Sequence, residues 1–102
     1  MGTFAGVFVL ALEVEAHLPQ ARSLKDKRQV LRSILDTARS RFAVAAAEVD
    51  HQDRWQRTTL GFATVSGSSS HATDVMDEVE RLVWSQTGLE VVRAERTWLE
   101  PG

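Results

Sequence analysis

The chain has 102 residues, a formal net charge of −2 and no cysteine. Its length predicts one domain over residues 1–102 with a modest core, and the lack of cysteine excludes disulfides, thiolate nucleophiles and cysteine-based metal sites. The charge is uneven, because residues 20–57 carry nine basic and five acidic side chains whereas residues 72–102 carry three basic and seven acidic ones. We therefore expect a cationic region and an anionic region on the same fold.

The first predicted element is a strand over residues 4–18, in which side chains alternate between two faces. The face expected to point into the core carries Phe8, Leu10, Leu12, Val14, Ala16 and Leu18. The other face begins with Val7, Val9 and Ala11 and continues with Glu13, Glu15 and His17. The apolar start of this strand is too short to span a bilayer and has no basic segment before it. We therefore expect a cytoplasmic protein with no membrane contact.

A strongly basic helix is predicted after Pro19. Ser23 precedes Asp26 by three residues, the spacing at which a serine hydroxyl caps the first turn of a helix. Apolar residues then recur at helical spacing and form one stripe that we expect to be buried: Leu24, Leu31, Ile34, Leu35, Ala38 and Phe42. The remaining faces carry the cations Arg22, Lys25, Lys27, Arg28, Arg32, Arg39 and Arg41.

The middle of the chain predicts two strands joined by a polar connection. Residues 43–49 are small and apolar, and residues 58–65 are rich in β-branched side chains that suit a pleated sheet. Between them, residues 50–57 are polar apart from Trp55. We expect a hairpin whose charged tip, or a bulged edge near it, presents Trp55 to a partner or folds it back as a lid.

The last part predicts a loop, a second helix and a final strand. Residues 66–70 are a serine-rich loop, residues 71–87 carry a helical apolar stripe that Gly88 ends, and residues 89–99 form the strand before Pro101. Three acidic residues are expected early in the helix, where the helix dipole favours them. The serine loop could cradle a phosphate, but ordinary helix capping is the preferred interpretation because no Lys-Ser/Thr pair follows it.

The element order β-α-β-β-α-β predicts an α+β, ferredoxin-like fold. Its four-stranded antiparallel sheet has the order 4-1-3-2, with both helices on one face. The other sheet face is then open, and we expect Val7, Val9, Ala11 and Trp98 to lie on it together with residues of the third strand. An apolar patch of this kind predicts a homodimer. The alternative is a hydrated sheet face shielded by long side chains.

Asp50, His51 and Asp53 are the candidate catalytic group. Two carboxylates and an imidazole suit a divalent metal or proton transfer, which would make the protein a small metal-dependent hydrolase. Strand alternation would place these side chains on opposite faces, so a turn stabilised by side-chain hydrogen bonds is preferred. We expect no cofactor and no resident metal.

Nucleic-acid binding is predicted through the basic helix and the hairpin. Base stacking on the central strands, as in RRM domains, would require Phe8 to face the open surface and would bury Glu13 and Glu15, so we expect Phe8 in the core. The candidate binding residues are instead Lys25, Lys27, Arg28, Arg32, Asp50, His51, Asp53, Arg54, Trp55 and Arg57. A solvated helix face, or pairing with the acidic helix of a neighbour, is the alternative.

Two motifs resemble a known family. They are Ala21-Arg22-Ser23-Leu24-Lys25-Asp26-Lys27-Arg28 and Ala47-Glu48-Val49-Asp50-His51-Gln52-Asp53-Arg54-Trp55-Gln56-Arg57. Both are similar to motifs of the YlxP-like family of small bacterial proteins of unknown function, and the resemblance spans nearly the whole chain. It implies a ferredoxin-like fold and a setting near translation and ribosome-maturation genes, and it implies no established activity or ligand.

The sequence therefore supports two functional hypotheses. The first is a non-enzymatic homodimeric accessory protein that binds RNA, a ribosomal protein or a ribosomal particle through the basic helix and residues 50–57. The second is the metal-dependent hydrolase. An acylphosphatase is disfavoured because its phosphate site requires an asparagine, which this chain lacks. In the first hypothesis the two motifs meet at one edge of the fold, as a recognition site or as a salt-bridge network that fixes the hairpin.

Overall fold

A computed structural model describes residues 6–99 of the chain. Its elements are β1 (Phe8–His17), α1 (Leu24–Phe42), β2 (Ala45–Asp50), β3 (Arg57–Ser66), α2 (Ser69–Trp84) and β4 (Glu90–Trp98). The four strands form one sheet in the order β2-β3-β1-β4, which confirms the predicted ferredoxin-like topology. The predicted first residues of β1, Phe4 and Ala5, and the predicted stop at Pro101 lie outside the described residues.

β1 is the central strand of the sheet. It pairs antiparallel with β3 along its full length and with β4 on its other side, so that Leu12 lies opposite both Phe62 and Arg96. The register with β4 shifts between Glu15 and Ala16. Because a bulge inserts an extra residue into one strand, it reverses the face on which that strand's following side chains lie.

The core lies between the sheet and the two helices. Leu10, Leu12 and Val14 are almost completely buried there, which confirms the predicted phase of β1. The helices contribute buried residues from both apolar stripes, among them Ile34 from α1 and Met76 from α2. Burial of each large aliphatic side chain contributes about 1.5–3 kcal/mol to folding, so this layer accounts for much of the fold's stability.

Two aromatic residues depart from the prediction. Phe8 lies on the core side of β1 but is 39% exposed at the end of the strand, so its expected burial in the core is wrong. Trp98 was expected on the open face, yet it lies opposite the buried Leu10, and directly opposed residues share a sheet face. Its ring meets that of Phe8 edge-on, with centroids 6.3 Å apart. The pair therefore extends the core side of the sheet.

The helix starts follow from their serine caps. The Asp26 amide donates to Ser23 Oγ at 3.1 Å, as predicted. The second helix begins earlier than predicted because the cap is Ser68, whose Oγ accepts from the His71 amide at 3.2 Å. Ser69 thus belongs to α2, and the expected acidic first turn is wrong, since that turn has no acidic residue. The serines act as ordinary helix caps.

Within residues 6–99, none of the helices combines the length and the apolar character needed to cross a membrane.

Candidate functional site

Lys27 is buried, not solvent-exposed as predicted. Its side chain is 1% exposed and ends 2.7 Å from Glu48 Oε2, which joins α1 to β2. The reason lies in helical spacing, because Lys27 precedes Leu31 and Ile34 by four and seven residues and so shares their inward face. Thr58 Oγ1 donates to the same Glu48 oxygen at 2.6 Å, which completes a buried polar network.

The same ammonium group holds the loop of residues 51–56. Lys27 Nζ donates to the carbonyl oxygens of His51 at 2.5 Å and Arg54 at 2.6 Å. With Glu48 as the third acceptor, all three donors of the ammonium group have a partner. The two sequence motifs therefore meet in space, through one buried lysine that pairs with Glu48 and binds two loop carbonyls. This contact corresponds to the predicted alternative of a salt-bridge network that fixes the hairpin.

Gln56 fixes the other end of this loop. Its side-chain amide donates to the carbonyl oxygens of Ala21 at 3.0 Å and Pro19 at 3.3 Å. Its own carbonyl accepts from the Leu18 amide at 3.0 Å. Lys27 and Gln56 thus anchor the 51–56 loop to the segment between β1 and α1 and to the first turn of α1.

Trp55 projects from this anchored loop. It is 53% exposed, so the predicted alternative in which Trp55 folds back as a lid is wrong. It borders a groove of about 470 Å³, whose other lining residues are His17, Pro19, Arg54, Gln56, Arg57 and Glu90. An exposed indole beside arginine side chains is an arrangement suited to planar or anionic ligands.

The cations divide into two equal groups of six. Lys27, Arg39, Arg57, Arg81, Arg93 and Arg96 form salt bridges. No salt bridge within residues 6–99 involves the other six, which are Arg22, Lys25, Arg28, Arg32, Arg41 and Arg54. All six of the second group fall between residues 22 and 54. The predicted cationic region is therefore real, although Lys27 and Arg57 do not contribute an unpaired charge to it.

Lys25, Arg28 and Arg32 form a stripe on α1, which we call the cationic stripe. Their spacings of three and four residues place them on one side of the helix, and all three are exposed. Arg54 belongs to the same end of the molecule, because its backbone carbonyl binds the buried Lys27 of the first helical turn. The cationic stripe and the 51–56 loop are thus neighbouring surfaces.

Asp50, His51 and Asp53 do not assemble into a metal or catalytic site. Asp50 Oδ1 accepts from the His51 amide at 2.7 Å, and His51 adopts a left-handed backbone conformation with φ 63°. In the described part of the chain, no three histidine or acidic side chains are close enough to hold a metal ion. The geometry is that of a turn stabilised by a side-chain hydrogen bond, which was the preferred interpretation.

Arg57 is bound on the open sheet face. Its guanidinium lies 2.6 Å from Glu15 Oε2, and Arg93 approaches the other oxygen of Glu15 at 3.7 Å. The hydrogen bond from Arg57 is the main cause that lowers the pKa of Glu15 below its ordinary value, with further contributions from the charges of Arg57, Arg93 and His51. These ion pairs make the end of the open face near the 51–56 loop polar.

The rest of the open face has a floor of small side chains. Ala63 of β3 lies opposite Ala11 of β1 and Ala45 of β2, and a shallow depression of about 550 Å³ lies over them. Gly61 leaves room for the exposed Val49, since a Cβ at Gly61 would be 3.0 Å from Val49 Cγ1. Glu13 and Glu95, both paired with Arg93, line the same depression. The open face therefore has a concave apolar floor with carboxylates at its border, and its other end is charged.

Sequence reasoning missed several residues of this site. Glu48 and Gln56 lie within the second motif, but their functions as partner of Lys27 and as anchor of the loop depend on contacts distant in sequence. His17 and Pro19 line the Trp55 groove from the end of β1 and the residues after it. The predicted adjacency of the first and third strands was the available signal for that proximity, and in the structure His17 pairs with Arg57.

The fold and site define a small ferredoxin-like α+β protein with a lysine-anchored loop beside a cationic helix. The chain belongs to the family described as "Protein of unknown function (DUF503)", whose model matches residues 9–96. It is 35% identical over 86 residues to "Uncharacterized protein YlxP" of Bacillus subtilis (strain 168), a match that covers 84% of this chain and 94% of that relative. These matches confirm the resemblance carried by the two motifs.

Solved structures with a similar backbone include two designed proteins. One is the de novo designed protein Foldit4, with a TM-score of 0.53 and 11% identity over 89% of this chain and 96% of that chain. The other is the designed protein LFR1 1 with a ferredoxin fold, with a TM-score of 0.52 and 12% identity over 92% of this chain and 88% of that chain. Similarity at such low identity supports the fold alone.

Proposed function

We propose that the protein is a non-enzymatic accessory factor that binds RNA through the cationic stripe of α1 and the adjoining 51–56 loop. The single observation that carries this proposal is the position of the unpaired cations, all six of which lie between residues 22 and 54. The family resemblance makes ribosomal RNA the first candidate, and a cytoplasmic location is part of the proposal.

The charges support a polyanionic partner. Elsewhere in the described chain the basic side chains are neutralised, as Arg96 is by Asp77 and Glu80 at 2.8 and 2.7 Å. A cation without an internal partner keeps its full attraction for phosphate groups and releases condensed counterions when it binds them. The cationic stripe spans eight residues of helix, about 10 Å from end to end at a rise of 1.5 Å per residue, so its members can contact successive phosphates of one strand.

We further propose that two copies associate through the open sheet face. The floor of small residues, Ala11, Ala45, Ala47, Gly61 and Ala63, lets a second sheet approach closely, and Val49 and Val65 are exposed beside it. A two-fold dimer is the commonest way in which a chain covers such a patch. The cationic stripe lies on a helix on the other side of the sheet, so dimerisation leaves it accessible.

Enzymatic activity is not part of this proposal. The hydrolase hypothesis required Asp50, His51 and Asp53 to act together, and only the first two are in contact, through a turn and a weak approach of 3.8 Å between His51 Nε2 and Asp50 Oδ2. Such an arrangement provides neither a complete ligand set for a metal nor a general base beside a nucleophile.

Co-sedimentation with ribosomal particles, together with filter binding of purified ribosomal RNA, tests the RNA-binding proposal. We expect Lys25→Glu combined with Arg28→Glu to abolish both kinds of binding and to leave the oligomeric state unchanged. The charge-matched single variants are Arg28→Glu and Arg81→Glu, since Arg81 is an exposed arginine that pairs with Glu78 on α2. Equal effects of these two single variants, or retention of RNA by the double variant, would contradict the proposal. Binding to ribosomal proteins without RNA would do so as well.

A further inference from the structure

We infer that the groove beside Trp55 binds an unpaired nucleotide, whose base stacks on the indole and whose phosphate contacts Arg54. This inference rests on the proposed RNA-binding function and specifies its ligand as single-stranded RNA, or an unpaired base within a folded RNA. It assigns the cationic stripe to general phosphate contact and the groove to recognition of an exposed base.

Trp55 is exposed on a loop that hydrogen bonds anchor to the rest of the fold. The hydrogen bonds from Lys27 and Gln56 fix the loop backbone on both sides of Trp55. An aromatic side chain gains much by burial, since it carries a large apolar surface. The anchored loop therefore holds the half-exposed Trp55 in a restricted position, ready for contact with another molecule. Binding then costs little additional conformational entropy.

The residues that line the groove suit a nucleotide. Arg54 lines it, and no salt bridge in the described part of the chain occupies this arginine. Pro19 and Gln56 supply an apolar ring and an amide group, and His17 supplies an imidazole. Arg57, which pairs with Glu15, and the exposed carboxylate of Glu90 complete the lining, so Arg54 is the cation available to a phosphate. The volume of about 470 Å³ falls within the usual range for small-molecule sites. An aromatic ring for stacking and a cation for the phosphate are the groups with which proteins bind single-stranded nucleic acid.

A lone exposed indole favours an unpaired base over a duplex as the ligand. In an A-form helix the base faces are stacked on each other and cannot reach a protein indole, whereas loops and bulges expose them. A single indole at the side of a groove can stack only on a base that has left its helix. Double-stranded RNA should therefore contact the cationic stripe and not Trp55.

The test compares two RNA probes and two tryptophans. The probes are a 12-nucleotide single-stranded oligouridylate and a blunt RNA duplex of the same length, each measured by fluorescence anisotropy. Trp55→Ala removes the proposed stacking surface, and Trp84→Ala is the matched control because Trp84, at the end of α2, is 61% exposed. Thermal unfolding of both variants shows whether the fold is retained.

We expect Trp55→Ala to weaken binding of the single strand roughly 5- to 150-fold, the range for loss of one base stack. The affinity of Trp55→Ala for the duplex should change less than twofold. Trp84→Ala should alter the affinity for neither probe, and Trp55→Phe should bind the single strand more tightly than Trp55→Ala does. In a Trp84→Phe, Trp98→Phe background, the fluorescence of Trp55 should be quenched when the single strand is added. This second readout depends on contact and not on stability.

The possible failures are distinguishable. If Arg28→Glu weakens binding of both probes and Trp55→Ala weakens binding of neither, the groove inference is overturned while the proposed function stands. If the unaltered protein binds neither RNA, both are overturned. If Trp55→Ala loses affinity equally for both probes, and Trp55 fluorescence is not quenched by the single strand, Trp55 supports the fold and does not contact RNA. That result would also overturn the groove inference.

Discussion

Lys27 of α1 and Glu48 of β2 form a salt bridge of 2.7 Å, in which the lysine is 1% exposed and the glutamate side chain 17%. A buried charge is tolerated only when it is paired and hydrogen-bonded, and here Thr58 and two loop carbonyls complete the network. The relationship connects the fold to the candidate site, because the same ammonium group that joins helix to strand also positions the 51–56 loop.

Replacing Lys27 by methionine should destabilise the protein. Lys27→Met keeps the side-chain length but removes the ammonium group that pairs with Glu48 and donates to the carbonyl oxygens of His51 and Arg54. Thr58 still donates to Glu48, but the carboxylate loses its counter-charge, so we expect a loss of about 3 kcal/mol in the free energy of unfolding. Urea denaturation measures this loss. The control is Lys25→Met, an exposed lysine of the same helix turn, which should change stability by less than about 0.5 kcal/mol. Equal effects of the two variants would show that the Lys27 network does not stabilise the fold.

The apolar end of the open face should determine the oligomeric state. Ala11 lies at its centre between Ala63 and Thr97, and it is exposed in the single chain. Ala11→Glu would place a charge in the proposed interface, so we expect sedimentation equilibrium to change from dimer to monomer. Thr87→Glu, an exposed position after α2, is the control and should remain dimeric. A dimeric Ala11→Glu variant, or a monomeric unaltered protein, would remove the open-face dimer.

Glu15 should contribute to the pH dependence of stability. Because the pKa of Glu15 is lowered in the folded state, chiefly by the hydrogen bond from Arg57, its contribution is complete above its ordinary pKa of about 4.5 and is lost as the pH falls through its lower folded value. Glu15→Gln should therefore be less stable than the unaltered protein at pH 7, and the difference should shrink towards pH 3. Thermal unfolding at a series of pH values measures this.

The control for the pH experiment is Glu90→Gln. Glu90 is exposed and takes part in no salt bridge within residues 6–99, so its difference from the unaltered protein should stay small at every pH. A Glu15→Gln difference that is constant from pH 7 to pH 3 would mean that the Arg57 hydrogen bond does not favour the ionised form of Glu15.

The core was predictable because alternation and helical spacing are local properties of the chain. The period of two assigned Leu10, Leu12 and Val14 to the core face, and the three-residue spacing from Asp26 identified Ser23 as a helix cap. The position of Trp98 was not predictable in the same way. The register shift opposite Glu15 and Ala16 reverses the phase of β4, and nothing in the residue types of that strand marks a bulge.

The candidate site was only partly predictable for a similar reason. The two motifs identified the correct segments, but Lys27 resembles the neighbouring exposed lysine and arginines in every respect except its helical phase. Its burial depends on Glu48 and on two loop carbonyls, one of them 27 residues away in sequence. Contacts to backbone atoms leave no residue pattern, so the anchoring of the 51–56 loop became visible only in three dimensions.

The salt dependence of RNA affinity tests the central claim most directly. If Lys25 and Arg28 contact phosphates, each contributes about 0.7 to the slope of log affinity against log salt for single-stranded RNA. We predict that a charge-neutralised variant, Lys25→Gln with Arg28→Gln, shows a slope shallower by about 1.4 and a weaker affinity, whereas Arg81→Gln keeps the slope of the unaltered protein. Equal slopes of log affinity against log salt for all three proteins would contradict RNA binding through the cationic stripe.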